Sequence, residues 1–335
     1  MDPRTSAQNV LRCDLCETAV VQMHCDTCLV NLCTACVGKN MISDETKDHK
    51  ITKTSLKAGS SPPVKQLLDE PETVTTINTG NGDLNNMACL SDKNIWTNGY
   101  DSTMELYSIN QGSLLKSMTT KSGNEPEVIA VTKSGDLVYT DYKDRTVNIV
   151  KNEKIEEVIR LQNWRPRGVC STSSGDLLVI MHSDDYKQGK IVRYSGSTEK
   201  QTIQFDDKGK PLYSTDGFYR FITENRNFDI CVSETGLEAI VVNQAGKLRF
   251  RYPGHTPAPK NKTFNPRGIT TDSQSHILIA DHNNDCVHII DQDGQFLRYL
   301  DCGLSQPRVL FTDVNDNLFV TQWKSKKVKK IKYLY

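Results

Sequence analysis

The chain has 335 residues, and its 41 lysines and arginines balance 41 aspartates and glutamates, so the formal net charge is zero. This balance disfavours wholesale electrostatic capture of nucleic acid or of an anionic membrane, although local basic patches are compatible with it. The first residues, MDPRTSAQNVLRC, lack the apolar core of a secretory signal, and no apolar run reaches the roughly 18 residues that span a bilayer. We therefore expect a cytoplasmic protein that does not enter the membrane.

The first predicted module is a cysteine cluster, because residues 13 to 36 contain six of the eleven cysteines. They form three C-x2-C pairs, which are Cys13 and Cys16, Cys25 and Cys28, and Cys33 and Cys36. Two thiolates at this spacing can bind one metal ion as half of a tetrahedral site. Thiols stay reduced in the cytoplasm, and a redox motif would need a βαβ context, so zinc is favoured over disulfides or redox chemistry. A module of about 45 residues also needs such a staple, since it cannot bury an adequate core.

This spacing resembles the type 1 B-box zinc finger of the tripartite-motif (TRIM) family, in which three cysteine pairs precede two histidines. The resemblance covers residues 8–55 and implies a RING-like cross-brace that binds two zinc ions. The first ion would be held by Cys13, Cys16, Cys33 and Cys36. The second would be held by Cys25, Cys28, a histidine soon after Cys36, and His49.

The sequence departs from this family pattern at the second zinc site. Asn40 stands about where the first of the two histidines is expected, and asparagine is a poor zinc ligand. Asp44, Asp48, His24 or a water molecule could replace the missing ligand. One zinc ion is therefore expected, and the fourth ligand of the second site stays open.

Residues 56–72 form a predicted linker, because the run SSPP at 60–63 breaks any helix. Only twelve residues precede Cys13, which leaves no room for a RING finger, and no sustained heptads follow the module. The RING and the coiled coil that give the family its ubiquitin ligase activity and its dimers are therefore expected to be absent. The oligomeric state stays open.

Repeats dominate residues 73–335. Four segments share a Pro-x-[Gly/Val]-[Val/Ile/Leu] opening, at Pro126, Pro166, Pro266 and Pro307. Six apolar strands recur every 40 residues or so, with one longer step that contains an insertion at 205–225. Their anchor residues are Ile95, Leu137, Leu177, Ala239, Ile277 and Leu318. This period, with strand and turn signals throughout, predicts a mainly β chain that ends in a six-bladed β-propeller.

The last repeat contains only three predicted strands, so a segment at about 72–79 (ETVTTINT) is expected to supply the fourth and close the ring. The segment NPRGITTDSQSHILIADHNNDCVHIIDQDGQFLRYL at 265–300 resembles the NHL repeat. A B-box followed by an NHL propeller resembles one branch of the tripartite-motif family. In that branch the propeller recognises proteins or RNA on one face.

Candidate partner-binding residues lie in the loops predicted at one propeller face, where aromatic residues alternate with arginines. Such mixtures suit both protein hot spots and stacked bases, although any single member could instead pack between blades. The partner-binding candidates are Trp164, Arg165, Arg167, Tyr219, Arg267, Arg308 and Trp323, and the same loops contain Tyr213, Tyr252 and Phe264.

Two further patterns invite other functions. Six lysines lie between 324 and 332, which could bind RNA but are better explained as the exposed positions of an outer strand. His182 and His282 occupy matching positions in two repeats, as in metal-dependent propeller enzymes, yet two histidines without a third ligand make a weak metal site. The sequence shows no nucleophile elbow, phosphate loop or paired carboxylates.

The sequence therefore predicts a non-catalytic, zinc-binding adaptor whose propeller recognises a protein partner. The family resemblance links it to ubiquitin-dependent turnover, with substrates or RING-bearing family members as partners and no small-molecule substrate. One alternative is a regulator that binds RNA through the propeller. Another is E3 ubiquitin-protein ligase activity carried by the B-box itself.

Overall fold

The computed structural model of the protein describes residues 23–25, 30–32, 51–53, 65–79, 83–214 and 220–335. The chain divides into two compact units, Met1–Val64 and Lys65–Tyr335. All regular secondary structure in the described ranges is β-strand, as a mainly β fold requires. None of these residues belongs to a helix that is long and apolar enough to cross a membrane.

The first unit contains a small antiparallel sheet. Its strands are β1 (Met23–Cys25), β2 (Val30–Leu32) and β3 (Ile51–Lys53), in the order β2-β1-β3. Cys25, the last residue of β1, pairs with Val30 on one side and with Ile51 on the other. The starts of β2 and β3 therefore lie beside the end of β1.

The second unit begins with β4 (Leu67–Asn78) and continues through six four-stranded antiparallel sheets, which we call blades 1 to 6. Blade 1 contains β5 (Asn86–Cys89), β6 (Asn94–Asn98), β7 (Thr103–Ser108) and β8 (Leu114–Thr119). Blade 2 contains β9 (Val128–Val131), β10 (Leu137–Asp141), β11 (Thr146–Lys151) and β12 (Lys154–Arg160). Blade 3 contains β13 (Trp164–Ser171), β14 (Leu177–Ser183), β15 (Gly189–Ser195) and β16 (Thr198–Ile203).

The remaining three blades follow the same order. Blade 4 contains β17 (Arg220–Glu224), β18 (Ile230–Glu234), β19 (Ala239–Val242) and β20 (Leu248–Tyr252). Blade 5 contains β21 (Pro266–Thr271), β22 (Ile277–Asp281), β23 (Cys286–Ile290) and β24 (Phe296–Leu300). Blade 6 contains β25 (Pro307–Thr312), β26 (Leu318–Gln322), β27 (Lys327–Leu334) and, as its fourth strand, β4.

The six blades close into a ring around a central channel. The first strand of each blade, from β5 to β25, contacts the first strand of the next blade, and β25 contacts β5. Blades 5 and 6 approach each other closely, since a Cβ on Gly268 would lie 2.6 Å from the Leu310 backbone nitrogen. The structure is thus a six-bladed β-propeller, and the prediction of that fold is confirmed.

Strand β4 supplies the outer edge of blade 6. It pairs along β27 from Asn78, opposite Lys327, to Leu67, opposite Leu334. The sequence pattern had marked a closing strand at about 72–79, and the strand found begins earlier, at Leu67. Because β4 pairs with its outer edge, the lysine-rich β27 is the third strand of its blade rather than an outer strand.

The propeller core lies between neighbouring blades, and its middle strands are buried on both faces. Every residue of β10, β14 and β22 is buried, whereas the outer strand β12 alternates between exposed and half-buried positions along most of its length. A strand sandwiched between two blades contacts apolar neighbours on both sides, so its sequence is continuously apolar. Most of the exposed strand positions therefore lie in outer strands such as β4 and β12.

Blade 4 corrects one anchor residue inferred from the sequence. Ala239 begins β19, the third strand of its blade, whereas the other five anchors lie in second strands. The equivalent residue is Ile230, the first residue of β18. Both strands are wholly buried, so burial does not distinguish them. The continuously apolar run AIVV, which follows a Thr-Gly turn, resembled a second strand more closely than the more polar ICVSE did.

Candidate functional site at the channel mouth

Six equivalent backbone positions surround one end of the central channel. In every blade a turn follows the first strand, and the position in question lies five residues before the first residue of that turn. In blade 5, for example, Arg267 lies five residues before Asp272. Because neighbouring first strands touch all the way round, these positions form a circle, which we call the mouth ring. Its members are Asn85, Glu127, Arg167, Arg220, Arg267 and Arg308.

The Pro-Arg sequences place three of these arginines at irregular points of their strands. In blades 3, 5 and 6 the pairing register shifts just after Pro166, Pro266 and Pro307. Proline cannot donate a ladder hydrogen bond, and a bulge changes the direction of the neighbouring side chain. The Pro-x-[Gly/Val] repeat is therefore the local signal that positions an arginine at the mouth.

Arg167 is the centre of the first side-chain cluster, formed between blades 2 and 3. Its Nη1 donates to Glu127 Oε1 at 2.6 Å, and its Nε donates to His182 Nε2 at 2.8 Å. Its guanidinium carbon lies 4.0 Å from the centre of the Tyr142 ring. Burial raises the pKa of the Glu127 carboxyl, although Arg167 opposes that shift. The guanidinium is thus fixed in a single orientation.

The second cluster joins blades 6 and 1 around Arg308, which is only 3% exposed. Its two terminal nitrogens donate to the Tyr100 hydroxyl and to Asn85 Oδ1. Its guanidinium carbon lies 4.6 Å from the centre of the Trp323 ring and 5.4 Å from that of Tyr100. Arg308 therefore lies beneath two aromatic rings rather than on the surface.

Three aromatic side chains of these clusters remain exposed at the mouth. Tyr100 is 45% exposed, Tyr186 is 50% exposed and Trp323 is 37% exposed. Tyr186 stacks on His182 with ring centres 4.7 Å apart, and its hydroxyl lies 2.5 Å from that of Tyr142. Each exposed ring is thus held by buried or half-buried polar groups, which limits the entropy that a partner must remove.

Tyr100, Tyr142 and Tyr186 were not among the sequence candidates. All three follow the second strand of their blades, in the short sequences NGYD, TDYK and DDYK. A tyrosine recurring just after the second strand was the available signal. Its meaning depended on knowing that this turn lies at the same end as the Pro-Arg positions.

The other sequence candidates lie in different environments. Arg165 pairs with Asp184 at 2.9 Å, and Trp164 packs against the core while Lys190 lies 4.2 Å from its ring centre. Arg267 lies close enough to His282 that, after burial, it is the main cause lowering the pKa of that imidazole. Tyr219 lies outside the described residues.

Three loop aromatics considered with them are core residues instead. Tyr213, Tyr252 and Phe264 are 3%, 5% and 8% exposed. Tyr252 and Phe264 pack edge to face with ring centres 5.7 Å apart, in the cluster between blades 4 and 5. Large aromatic rings beside a turn fill the space between neighbouring blades. From the sequence alone, such a core residue cannot be distinguished from one that contacts a partner.

The predicted zinc ligands Cys13, Cys16, Cys28, Cys33, Cys36 and His49, with Asn40, Asp44 and Asp48, lie outside the described residues. Cys25 is described by its backbone, at the end of β1. Cys28 comes two residues before Val30, and His49 comes two residues before Ile51. Both of those strand starts pair with Cys25.

One group of potential metal ligands occurs within the described residues, and it consists of Asp281, Cys286 and His288. His288 already uses both ring nitrogens, at 3.1 Å from Asp281 and at 2.8 Å from the Tyr252 hydroxyl. Burial raises the pKa of the Cys286 thiol, which disfavours the thiolate that a metal requires. Asp281 also accepts bonds from the turn after β22, most closely from Asn284 Nδ2. Its Oδ1 lies within 3.3 Å of three backbone nitrogens, those of Asn265, Asn283 and Asn284.

The same turn in blade 2 explains this group. Asp141 caps that turn by accepting from the Asp144 backbone nitrogen, and Thr146 and Asn148 stand where blade 5 has Cys286 and His288. In blade 2, a threonine and an asparagine therefore pack beside the turn aspartate at these two positions, and neither is a usual metal ligand. We therefore assign the blade 5 group to packing and turn formation.

A groove of about 750 Å³ opens between blades 3 and 4. Phe205 and Leu237 form its exposed apolar wall, and Arg251 pairs with Glu238 at its edge. None of the five mouth-ring residues whose side chains are described lines it. The groove is thus a separate feature of the propeller.

The sequence matches no protein-family model, and it matches no curated protein. Solved structures match the fold. Virginiamycin B lyase from Staphylococcus aureus is 13% identical with a TM-score of 0.56, over 77% of this chain and 98% of that chain. A gluconolactonase from Xanthomonas campestris is 14% identical with a TM-score of 0.58, over 83% and 99%.

The WD40 β-propeller domain of Doa1 is also similar, at 12% identity and a TM-score of 0.54, over 79% of this chain and 98% of that chain. Identities this low show a shared fold, and a shared propeller fold hosts unrelated functions. The function of this chain must therefore be argued from its own site.

Proposed function

We propose that the chain is a binding protein whose propeller recognises a protein partner at the channel mouth. The observation that carries this proposal is the set of three exposed rings, Tyr100, Tyr186 and Trp323, each supported by a fixed neighbour. Rigid aromatic rings with polar support dominate the binding energy of protein interfaces. An interaction platform is also what the propeller fold by itself suggests.

The charge pattern favours a protein over RNA as the partner. Arg165 and Arg167 are paired with carboxylates, which reduces the positive field that a phosphate backbone would meet. In the lysine-rich strand, Lys329 donates to the Cys302 and Gly303 carbonyls, and Lys330 lies 3.4 Å from Asp313. These lysines stabilise the blade. RNA binding is therefore the second candidate.

Catalysis like that named for the lyase and the lactonase has weaker support. His182 is bonded to Arg167 and stacked on Tyr186. Burial and nearby arginines lower the pKa of His282, which favours the neutral form of this imidazole. The described residues gather neither histidine into a group of metal ligands. Binding rather than chemistry is what this mouth supports.

The test is selection of random displayed peptides by the full chain, counter-selected with the double variant Tyr186→Ala, Trp323→Ala. We expect enriched peptides to bind the wild type and to lose about 30-fold in affinity with the variant, as a hot-spot loss of about 2 kcal/mol implies. Tyr335→Ala, at a 66% exposed C-terminal tyrosine, is the matched control and should bind normally. Selection of single-stranded RNA but no peptides would favour the second candidate instead.

The N-terminal unit is proposed to bind structural zinc. Its support is the six-cysteine spacing together with the pairing of Cys25 with Val30 and with Ile51, which follow Cys28 and His49 by two residues each in the sequence. Cys13, Cys16, Cys33 and Cys36 would hold the first ion. Cys25, Cys28 and His49 would hold a second, with Asp44 or Asp48 as the possible fourth ligand. Zinc would supply folding energy to this small unit.

Native mass spectrometry of the pure chain would count the zinc ions and the protomers together. Thiol labelling gives an independent measure, because the five cysteines of the propeller are buried or half-buried with a raised pKa, to about 12 for Cys89. The thiols that react with a labelling reagent in the folded chain should come from the N-terminal cluster. We expect them to react only after a chelator is added. Rapid labelling before chelation would contradict the zinc proposal.

A link to ubiquitin-dependent turnover is the finer part of the proposal and rests on the family resemblance alone. As an adaptor, the chain would bring its partner to a RING-bearing protein. Autoubiquitination with purified components separates this role from ligase activity in the B-box. An adaptor should be inactive alone, and activity of the isolated chain would favour the ligase alternative.

A further inference from the structure

We propose that the mouth ring binds a carboxylate of an acidic peptide segment, so the partner carries aspartate, glutamate or a free C-terminus at its point of entry. This inference rests on the proposed protein-binding function and names the chemistry of the partner. Its basis is the composition and the fixed geometry of the mouth ring.

The mouth ring has a positive excess. Arginine occupies the ring positions in blades 3 to 6, glutamate occupies the one in blade 2, and asparagine occupies the one in blade 1. The side chains of five positions are described, and they comprise three arginines and one glutamate. A single anionic group on the channel axis would therefore meet more positive than negative charge.

The guanidinium groups are held in place before any ligand binds. Glu127, His182 and Tyr142 fix Arg167, and Asn85, Tyr100 and Trp323 surround Arg308. A guanidinium that is already fixed in one orientation loses little entropy when it binds a carboxylate.

A donor remains at this mouth after the contacts among the described residues are counted. Arg167 uses Nε and Nη1, which leaves its Nη2 without a partner among the residues described. Further positive charge lies close by, since Arg267 and Arg308 are both near enough to His282 to lower the pKa of its imidazole, whose ring is 6.2 Å from that of Trp323.

The surroundings of the ring favour a single carboxylate over a polyanion. Glu125 and Asp184 stand at the same end of the propeller, and Glu127 raises the pKa of the Glu125 carboxyl in addition to the effect of burial. A phosphate backbone crossing this face would pass these acids, whereas one carboxylate entering the ring avoids them. The exposed Tyr100, Tyr186 and Trp323 would then contact the flanking peptide residues.

Fluorescence polarisation with the full chain tests the inference. The probe is a fluorescein-labelled Ser-Gly peptide with central glutamates and aromatic flanks, compared with a peptide in which glutamines replace the glutamates. We expect the acidic peptide to bind at least tenfold more tightly than the glutamine peptide, and Arg267→Gln to remove about tenfold of its affinity. Arg226→Gln is the matched control, since Arg226 is exposed in the turn between β17 and β18 at the other end of the channel, and its affinity should stay within twofold.

Three results would overturn the inference. The acidic and glutamine peptides could bind equally, Arg267→Gln could leave the affinity unchanged while Arg226→Gln lowers it, or no acidic peptide could bind at concentrations up to about 1 mM. If displayed peptides still depend on Tyr186 and Trp323 in such a case, the proposed protein-binding function stands and only the carboxylate chemistry fails. Tighter binding of a single-stranded RNA than of any peptide would overturn both.

Discussion

At the channel mouth, arginines act through the aromatic rings above them. Arg308 is almost fully buried, and its contacts hold Tyr100 and Trp323 in place. Arg167 likewise packs against the ring of Tyr142, and it bonds to His182, on which Tyr186 stacks. The residue pattern that marks this surface is therefore an arginine from a first strand together with an aromatic residue after a second strand.

Glu125 gives the mouth a measurable pH dependence. Burial, and next the neighbouring Glu127, raise the pKa of Glu125 above its ordinary value of 4.5, and Asn85 donates to its Oε1 at 2.8 Å. Because the folded state holds this proton more tightly than the unfolded state, the free energy of unfolding falls as the pH rises from about 4.5 through the raised value. Glutamine would keep the acceptor for Asn85 without the charge.

We predict that Glu125→Gln is more stable than the wild type at pH 8, by roughly 0.5 kcal/mol because solvent screens a half-buried carboxylate. The difference should approach zero below pH of about 4, where the wild-type carboxyl is protonated in both states. Urea unfolding at both pH values measures it. Glu153→Gln is the control, since Lys116 lowers the pKa of Glu153 and any pH effect there should have the opposite sign. A destabilised Glu125→Gln variant at pH 8 would contradict this account.

At the scale of elements, β4 is the strand that joins the two ends of the propeller. Ile77 is 2% exposed and packs with Val309, Phe319 and Val328. From blade 5, Arg298 donates to the carbonyls of Leu68 and Asp69. The closing strand is thus held by its ladder, by its core side chain and by the neighbouring blade.

We predict that Ile77→Ala lowers the free energy of unfolding by about 3 kcal/mol, because it leaves a cavity in the cluster between blades 6 and 1. Val74→Ala on the same strand should change it by less than about 0.5 kcal/mol, since that side chain is 52% exposed. Denaturant unfolding of both variants provides the comparison. Equal effects would mean that β4 contributes through its backbone pairing alone.

At the scale of the whole molecule, the structure separates a small unit from a closed ring that begins at Lys65. Every blade depends on its neighbours for burial, because the middle strands are covered on both faces. Opening the ring anywhere therefore exposes apolar surface on two blades.

We predict that residues 65–335 alone unfold within about 3 °C of the propeller transition in the full chain, whereas residues 80–335 lose more than roughly 10 °C or fail to fold. Thermal unfolding followed by circular dichroism measures both. A synthetic peptide of residues 65–79 added to the shorter chain should restore part of the lost stability, as it supplies the missing strand. No difference between the two truncated chains would show that β4 is dispensable.

The candidate site could be predicted only in part. The Pro-Arg repeats identified Arg167, Arg267 and Arg308, because a proline followed by a register shift has a local signature. Tyr100, Tyr142 and Tyr186 were not predicted. Their contacts form because the turn after the second strand of a blade lies at the same end of the propeller as the start of the first strands. Tyr252 and Phe264 were considered as contacts but are core residues, because an aromatic ring beside a turn has the same sequence signature in either place.

The sequence by itself determined the period of about 40 residues, the strand and turn chemistry, and hence the six-bladed propeller. Those signals are local, and closure follows from their number. The tertiary structure alone decided that Ile230 rather than Ala239 belongs to a second strand, and that the closing strand β4 begins as early as Leu67. It also decided which residues of six separate repeats meet at the mouth. That meeting is set by ring closure between residues as far apart as Asn85 and Arg308, and no local pattern records it.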